Sequence, residues 1–289
     1  MSDHAFAQLT ARLGVPTLYA RDLLQGSREE GSEWKAELLG RALSTHLEHS
    51  GERYLVRRVA GAARAVLSDK FKRMDSRPLL DAFIKSVTQL GGHPLSGHAT
   101  ETRVAVRALI PTIYEPVPGE AVAFGLHWGN SDFGAGSYHV TLFTLRLLCL
   151  NGLVGEAEIR KTHVGARLED GIEYSRRTHL LTERALVSAT SDVVRGVLGP
   201  AAIEERLARI RAVHTEEVDF ETAWRKVGKA LTKSDKDATL QAFESPDDIN
   251  MPRGNTMWRF ANALSWVANG KDVSEDRRLD LQAAAGRLV

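Results

Sequence analysis

The segment ETRVAVRALI, Glu101–Ile110, sets Thr102, Val104, Val106 and Ala108 against Arg103, Ala105, Arg107 and Leu109. A side-chain period of two marks a strand with unlike faces. The segment AVAFGLHW, Ala121–Trp128, reads as a second strand, and Pro111, Pro116, Pro118 and Gly119 fill the connection between them. That connection is too short for a crossover helix, so the two strands are expected to pair antiparallel.

Upstream, Arg53–Ser68 mixes Tyr54, Val56 and Val59 with arginines and is punctuated by Gly61, which predicts a β-hairpin. Pro78 lies in the first turn of a helix that runs to about Leu90 and stops at Gly91 and Gly92. Downstream, Ser137–Leu142 reads as strand and Phe143–Leu150 as helix, although a continuous apolar run does not separate the two. Asn151-Gly152 is a stop, and Glu156–His163 is a further strand. Helices are expected over Ile172–Leu198, Ala201–His214, Phe220–Leu231, Asp235–Phe243 and Asn255–Ala268, and from Ser274, with a loop at Pro246–Gly254. In the helix beginning at Asn255, Trp258, Ala261, Leu264 and Trp266 are expected to be partly buried.

The first fifty residues also read as helices. Phe6, Leu9 and Leu13 share a face, Thr17–Gln25 forms a second helix, and Ser32 caps a third that puts Trp34, Leu38 and Leu39 on its apolar side. Helices, then a β-rich middle, then helices indicate an α+β fold rather than alternating α/β. The organisation is a helical arm, residues 1–50, serving as a cap or an oligomerisation element, and a main domain, residues 51–289.

With 43% apolar and 26% charged residues in 289, the chain can bury a core without staples. Its one cysteine, Cys149, excludes an intramolecular disulfide and sits in an apolar run, as a small buried hydrophobe does. The N-terminus carries no secretory pattern and no run is long enough to span a membrane, so a cytoplasmic protein is expected. A net charge of +1 argues against a protein that coats duplex DNA, yet leaves room for a local basic groove.

Motifs for catalysis are weak. The loop Gly129–Gly136 (GNSDFGAG) has no Lys-Ser/Thr after its last glycine and no strand–GxGxxG–helix frame. It reads as a tight connection that needs positive φ. His93 and His98 fall in a Gly/Pro-rich loop and His46 and His49 on a helix, with no metal-ligand frame around either pair. Asp247-Asp248 reads as a loop beside a helix, and no nucleophile elbow occurs. No catalytic residue, cofactor or metal is assigned; an enzyme of unrecognised type, using His127 or His163, is kept as an alternative.

Charge placement says more. From Glu52 to Arg77 eight Lys/Arg face three acids, a local balance of +5 in a nearly neutral chain. Alone, such a run describes a solvated hairpin face. It also suits a phosphate backbone, with Arg57, Arg58, Arg64, Lys70, Lys72 and Arg73 as contacts. Phe71 stacks on a base or packs in the core, with packing favoured, and Arg160, Lys161 and Arg167 form a second basic cluster around His163.

Several blocks have a familiar order and spacing. They are Leu67–Phe71 with Met74-Asp75 and Leu79-Leu80, then Leu145–Val154 (LRLLCLNGLV), Arg160–Gly165 (RKTHVG) and Thr256–Leu264 (TMWRFANAL). Together they resemble a phage- and plasmid-borne family of unknown function, over roughly Glu52–Leu288. The resemblance implies a mobile-element protein inside a bacterial cell and supplies no catalytic residues. More distantly, the hairpin, paired strands and following helix are similar to phage single-strand annealing proteins. That similarity implies a homo-oligomer, in those proteins a ring, holding single-stranded DNA in an outer basic groove. The alternative of another class is an accessory protein that binds a host or phage protein, as in counter-defence.

Overall fold

The computed structural model describes residues 1–147, 151–161, 175–227, 231–245 and 250–289. The arm comprises α1 (Asp3–Arg12), α2 (Thr17–Gly26) and α3 (Trp34–Ser50). The hairpin β1 (Tyr54–Val59) and β2 (Ala62–Ser68) follows, then α4 (Ser76–Gln89). Next come β3 (His93–Ala99), β4 (Val104–Val117), β5 (Glu120–Asn130), β6 (Tyr138–Arg146) and β7 (Asn151–Lys161). The C-terminal half holds α5 (Arg176–Val197), α6 (Pro200–Thr215), α7 (Phe220–Val227), α8 (Lys233–Glu244), α9 (Met257–Val267) and α10 (Glu275–Gly286). The fold is α+β: the hairpin is a two-stranded sheet, and β3–β7 form a five-stranded antiparallel sheet in chain order.

Alternation in β4 has the expected effect. Val104, Val106 and Ala108 join the main apolar cluster, whereas Leu109 packs on the other side with Phe143 and Leu145. The antiparallel pairing of β4 and β5 holds, with Val106 opposite Trp128 and Leu109 opposite Gly125. The prolines do not end β4, however. Its register shifts between Leu109 and Ile113 and again between Tyr114 and Val117, so Pro111 and Pro116 fall at irregularities, where a missing N–H costs no ladder bond. The turn itself is Pro118-Gly119, with Gly119 at φ +82°.

Four more expectations are corrected. His93 and His98 lie in β3, not in a loop; all seven residues of that strand are exposed, and pairing with β4 holds it extended. Phe143–Arg146 continues β6 instead of starting a helix, because both faces of this inner strand are covered and its apolar run does not alternate. Ser32 does not cap α3, whose N-cap is Glu33 without a side-chain bond; the Ser32 N–H donates to the Glu29 carbonyl in the preceding turn. On α3 only Leu39 is buried, with Trp34 56% and Leu38 42% exposed. The C-terminal helices fall close to their expected spans. Trp258, Ala261 and Leu264 are fully buried on α9, while Trp266 is exposed.

The main cluster joins one sheet face (Phe124, Leu126, Trp128, Tyr138, Val140) to Phe83 of α4, Ile210 of α6 and Phe260 of α9. A separate cluster of Leu13, Val15, Ala20, Leu23 and Leu39 holds the arm together and takes in Tyr54 of β1. Among the described residues no single helix is long and apolar enough to cross a membrane.

Candidate nucleic-acid interface

The hairpin turns at Ala60-Gly61, both with positive φ (47° and 80°), as a two-residue turn requires. Arg58 closes this turn by donating to the Gly61 carbonyl from Nε at 3.2 Å and Nη2 at 2.8 Å. The other two arginines are tied inward. Arg57 Nη2 pairs with Asp75 at 2.7 Å, beside α4, and its guanidinium lies 6.0 Å from the Phe133 ring centre. Arg64 pairs with Glu101 in the β3–β4 turn. Such part-exposed pairs add little stability. They do, however, offset two of the charges that the sequence offers to a phosphate backbone.

Lys70, Lys72 and Arg73 are exposed on the segment that leaves β2, as are Arg53 and Arg77 at its flanks. Phe71 is half-buried and packs toward Gly134, where a Cβ would meet Leu67 at 2.6 Å and Phe71 at 3.8 Å.

The Gly129–Gly136 loop is the platform under these residues. Asp132 Oδ1 accepts from the Ser76 N–H at 2.9 Å, the Ser76 hydroxyl at 2.8 Å and Asn130 Nδ2 at 3.2 Å. It thereby satisfies a donor at the start of α4. Ser131 Oγ accepts from the Ala135 N–H at 2.8 Å and donates to the Thr102 carbonyl at 2.7 Å. Gln8 of α1 donates to the Phe133 carbonyl at 2.9 Å. Gly134, at φ +76°, supplies the positive φ that a tight connection needs. The side-chain oxygens of Ser131 and Asp132 are thus engaged inside the fold.

The same loop links the two basic clusters. It leads into β6, whose first residues Tyr138 and His139 stand in register with Lys161 and Arg160 of β7. Arg103, which reads from sequence only as the outer face of a strand, reaches the loop by donating from Nε to the Ala135 carbonyl at 2.7 Å. Arg64, through Glu101 in the β3–β4 turn, and the backbone of Arg160 and Lys161 on β7 thus lie toward the same end of the sheet. Arg167, His163, Cys149 and Asp247-Asp248 lie outside the described residues.

His127 is in the sheet interior, opposite Arg107 and Thr141 in register, with its ring centre 5.2 Å from that of His139. Burial, then the charges of His139 and Arg107, lower its pKa to about 3. It is neutral throughout the physiological range. His46 and His49 are exposed on α3. Among the described residues no three His, Cys, Asp or Glu side chains are grouped so as to hold a metal ion. No family model, curated protein or solved structure matches the chain, so the likeness stated above rests on the quoted segments.

Proposed function

We propose that the chain is a non-enzymatic single-stranded DNA-binding or annealing protein of a phage or other mobile element, acting as a homo-oligomer in the bacterial cytoplasm. The observation that supports this reading is the local excess of +5 over Glu52–Arg77, with Arg58, Lys70, Lys72 and Arg73 exposed on the hairpin and the segment that follows it. On this reading Arg58, Lys70, Lys72 and Arg73 follow the backbone, and the base edges stay free to pair. Arg57 and Arg64 shape the hairpin and add long-range field rather than direct contacts. Binding of this kind draws on release of condensed counterions and needs no catalytic group.

The test is a salt series of single-strand binding by the parent and by Arg58→Ala/Lys70→Ala/Lys72→Ala/Arg73→Ala. The quadruple variant is expected to bind every sequence more weakly, with a log–log salt slope flatter by about 0.7 per lost phosphate contact. Arg160→Ala/Lys161→Ala is expected to act in the same direction. A folded quadruple variant that binds like the parent sinks this groove. A parent that binds no single-stranded DNA at low salt sinks the function.

The arm supports self-association. Leu18 is 76% exposed, Tyr19 54% and Trp34 56%, apolar groups that a second copy would cover. Light scattering is expected to give a multiple of the chain mass, and Trp34→Glu/Leu38→Glu to lower it. A monomer at working concentration, with and without oligonucleotide, rejects this part. If single-strand binding fails too, the same apolar surface favours the protein-binding accessory reading.

A further inference from the structure

The two long edges of the β1–β2 hairpin are treated differently. The edge of β2 is filled by α1. Gln8 Oε1 accepts from the Val66 N–H at 2.9 Å, Arg12 Nε donates to the Val66 carbonyl at 2.8 Å, and the Ser2 N–H donates to the Ala63 carbonyl at 2.9 Å. These bonds also fix which way β1 faces. The Val66 N–H and C=O point away from β1, so Val56 and Val66 form a non-hydrogen-bonded pair, and the N–H and C=O of Val56 point away from β2. By the same alternation those of Tyr54 and Arg58 point outward, Arg58 standing opposite Ala63. Among the described residues none makes a backbone hydrogen bond to these outward groups. Val56 is 49% and Val59 47% exposed on this strand. A two-stranded hairpin with one open edge is an incomplete sheet.

An open edge takes another strand, and the residues of β1 select which. Antiparallel pairing with β1 of a second copy, centred on Val56, matches the outward groups of Val56 with themselves and those of Tyr54 with those of Arg58. In this register Arg57 faces Leu55, Arg53 faces Val59 and Glu52 faces Ala60, so no arginine stands opposite another. Moving the centre to Leu55 sets Arg53 against Arg57, and moving it to Arg57 sets that arginine against itself. The register that pairs the most outward groups is thus the one without opposed like charges. Arg57 is offset by Asp75, and the Arg58 guanidinium is turned to the Gly61 carbonyl, which lowers the repulsion that remains. The stem of Arg53 covers the exposed Val59 of the other copy.

We propose that two copies of the chain associate through β1, forming a four-stranded antiparallel sheet in the order β2–β1–β1–β2 about a two-fold axis at Val56. This rests on the homo-oligomer reading above and names a surface for it. Because α1 occupies the edge of β2, each hairpin offers one edge, and the contact closes as a dimer instead of propagating.

Sedimentation of the full chain is the test. Val56→Pro removes an outward N–H and leaves the β1–β2 ladder its bonds, so it is expected to fold normally and to weaken self-association about tenfold. Val56→Lys and Val56→Glu each set like charges against one another at the axis and are expected to weaken it about fivefold. Their equimolar mixture is expected to recover it, because this residue meets its own copy. That recovery separates the interface from damage to the fold and covers the case in which the proline variant does not fold. Folded variants that associate as the parent does overturn the proposal, as does a mixture no tighter than either variant alone. An oligomer that Trp34→Glu/Leu38→Glu dissociates and the Val56 variants leave intact rejects β1 and keeps the homo-oligomer reading. A monomeric parent rejects both.

Discussion

Arg146→Ala is expected to destabilise the protein by about 3–5 kcal/mol, the usual effect of stranding one member of a buried ion pair. Arg146 ends β6 with 2% of its surface exposed. Its Nε donates to Glu120 Oε2 at 2.6 Å and its Nη2 to Glu120 Oε1 at 3.0 Å, a bidentate pair. Nη1 donates to the Asn250 carbonyl at 2.5 Å, and the Trp258 indole donates to Glu120 Oε2 at 3.1 Å. One buried cluster thereby fastens the start of β5, the end of β6, the residue before Met251 and α9. Removing the guanidinium leaves the largely buried Glu120 carboxylate without its bidentate partner, with the Trp258 indole still donating to it. Glu120→Ala strands the opposite charge and is expected to cost a similar amount. Glu120→Leu/Arg146→Met removes both charges while keeping volume and is expected to recover much of the loss. Urea midpoints of the four proteins check this. A loss below about 1 kcal/mol for Arg146→Ala would show the pair to be dispensable.

Mild acid is expected to weaken the protein through His127. Its pKa is about 3 in the folded chain against an ordinary value of 6.5, because burial, His139 and Arg107 all oppose the charged form. Between those values the unfolded chain takes up a proton that the folded chain does not. Stability is therefore complete above about pH 6.5 and falls by about 1.4 kcal/mol per pH unit below it. From neutrality to pH 5 the expected loss is about 2 kcal/mol. Asp235 acts in a lower window. Burial raises its pKa, but bonds from Thr232 and the Arg277 guanidinium outweigh this and hold it below the usual carboxylate value. Its contribution is present above that value and fades as pH drops further. His127→Gln is expected to remove the slope between pH 6.5 and 5 while leaving the lower limb. Equal slopes for parent and variant in urea titrations at the two pH values would exclude His127 as the source.

Local pattern was enough where the chain decides locally. Gly61 between the Tyr54–Val59 run and the apolar stretch from Arg64 to Leu67 announces the hairpin, and the β4 alternation announces a strand with unlike faces. It was not enough where distant partners decide. HPLSGHA, His93–Ala99, has neither period nor propensity and becomes a strand by pairing with β4. Phe143–Arg146 lacks alternation because it is covered on both sides. The candidate interface shows the same division. The excess charge of Glu52–Arg77 is visible at once. That Arg57 is engaged by Asp75 and Arg64 by Glu101 depends on contacts across 18 and 37 residues, which no spacing rule reports.

The exposed strand β3 has a consequence for behaviour in a crowded solution. It lies at the edge of the five-stranded sheet, where unpaired backbone invites a strand of another molecule to add on. Pro94 has no N–H to offer such a strand. The register slips between Pro94 and Ser96, which interrupts a regular template, and Gly97 gives an intruding chain no side chain to pack against. This edge is thereby guarded against the edge-to-edge addition of a strand from another molecule.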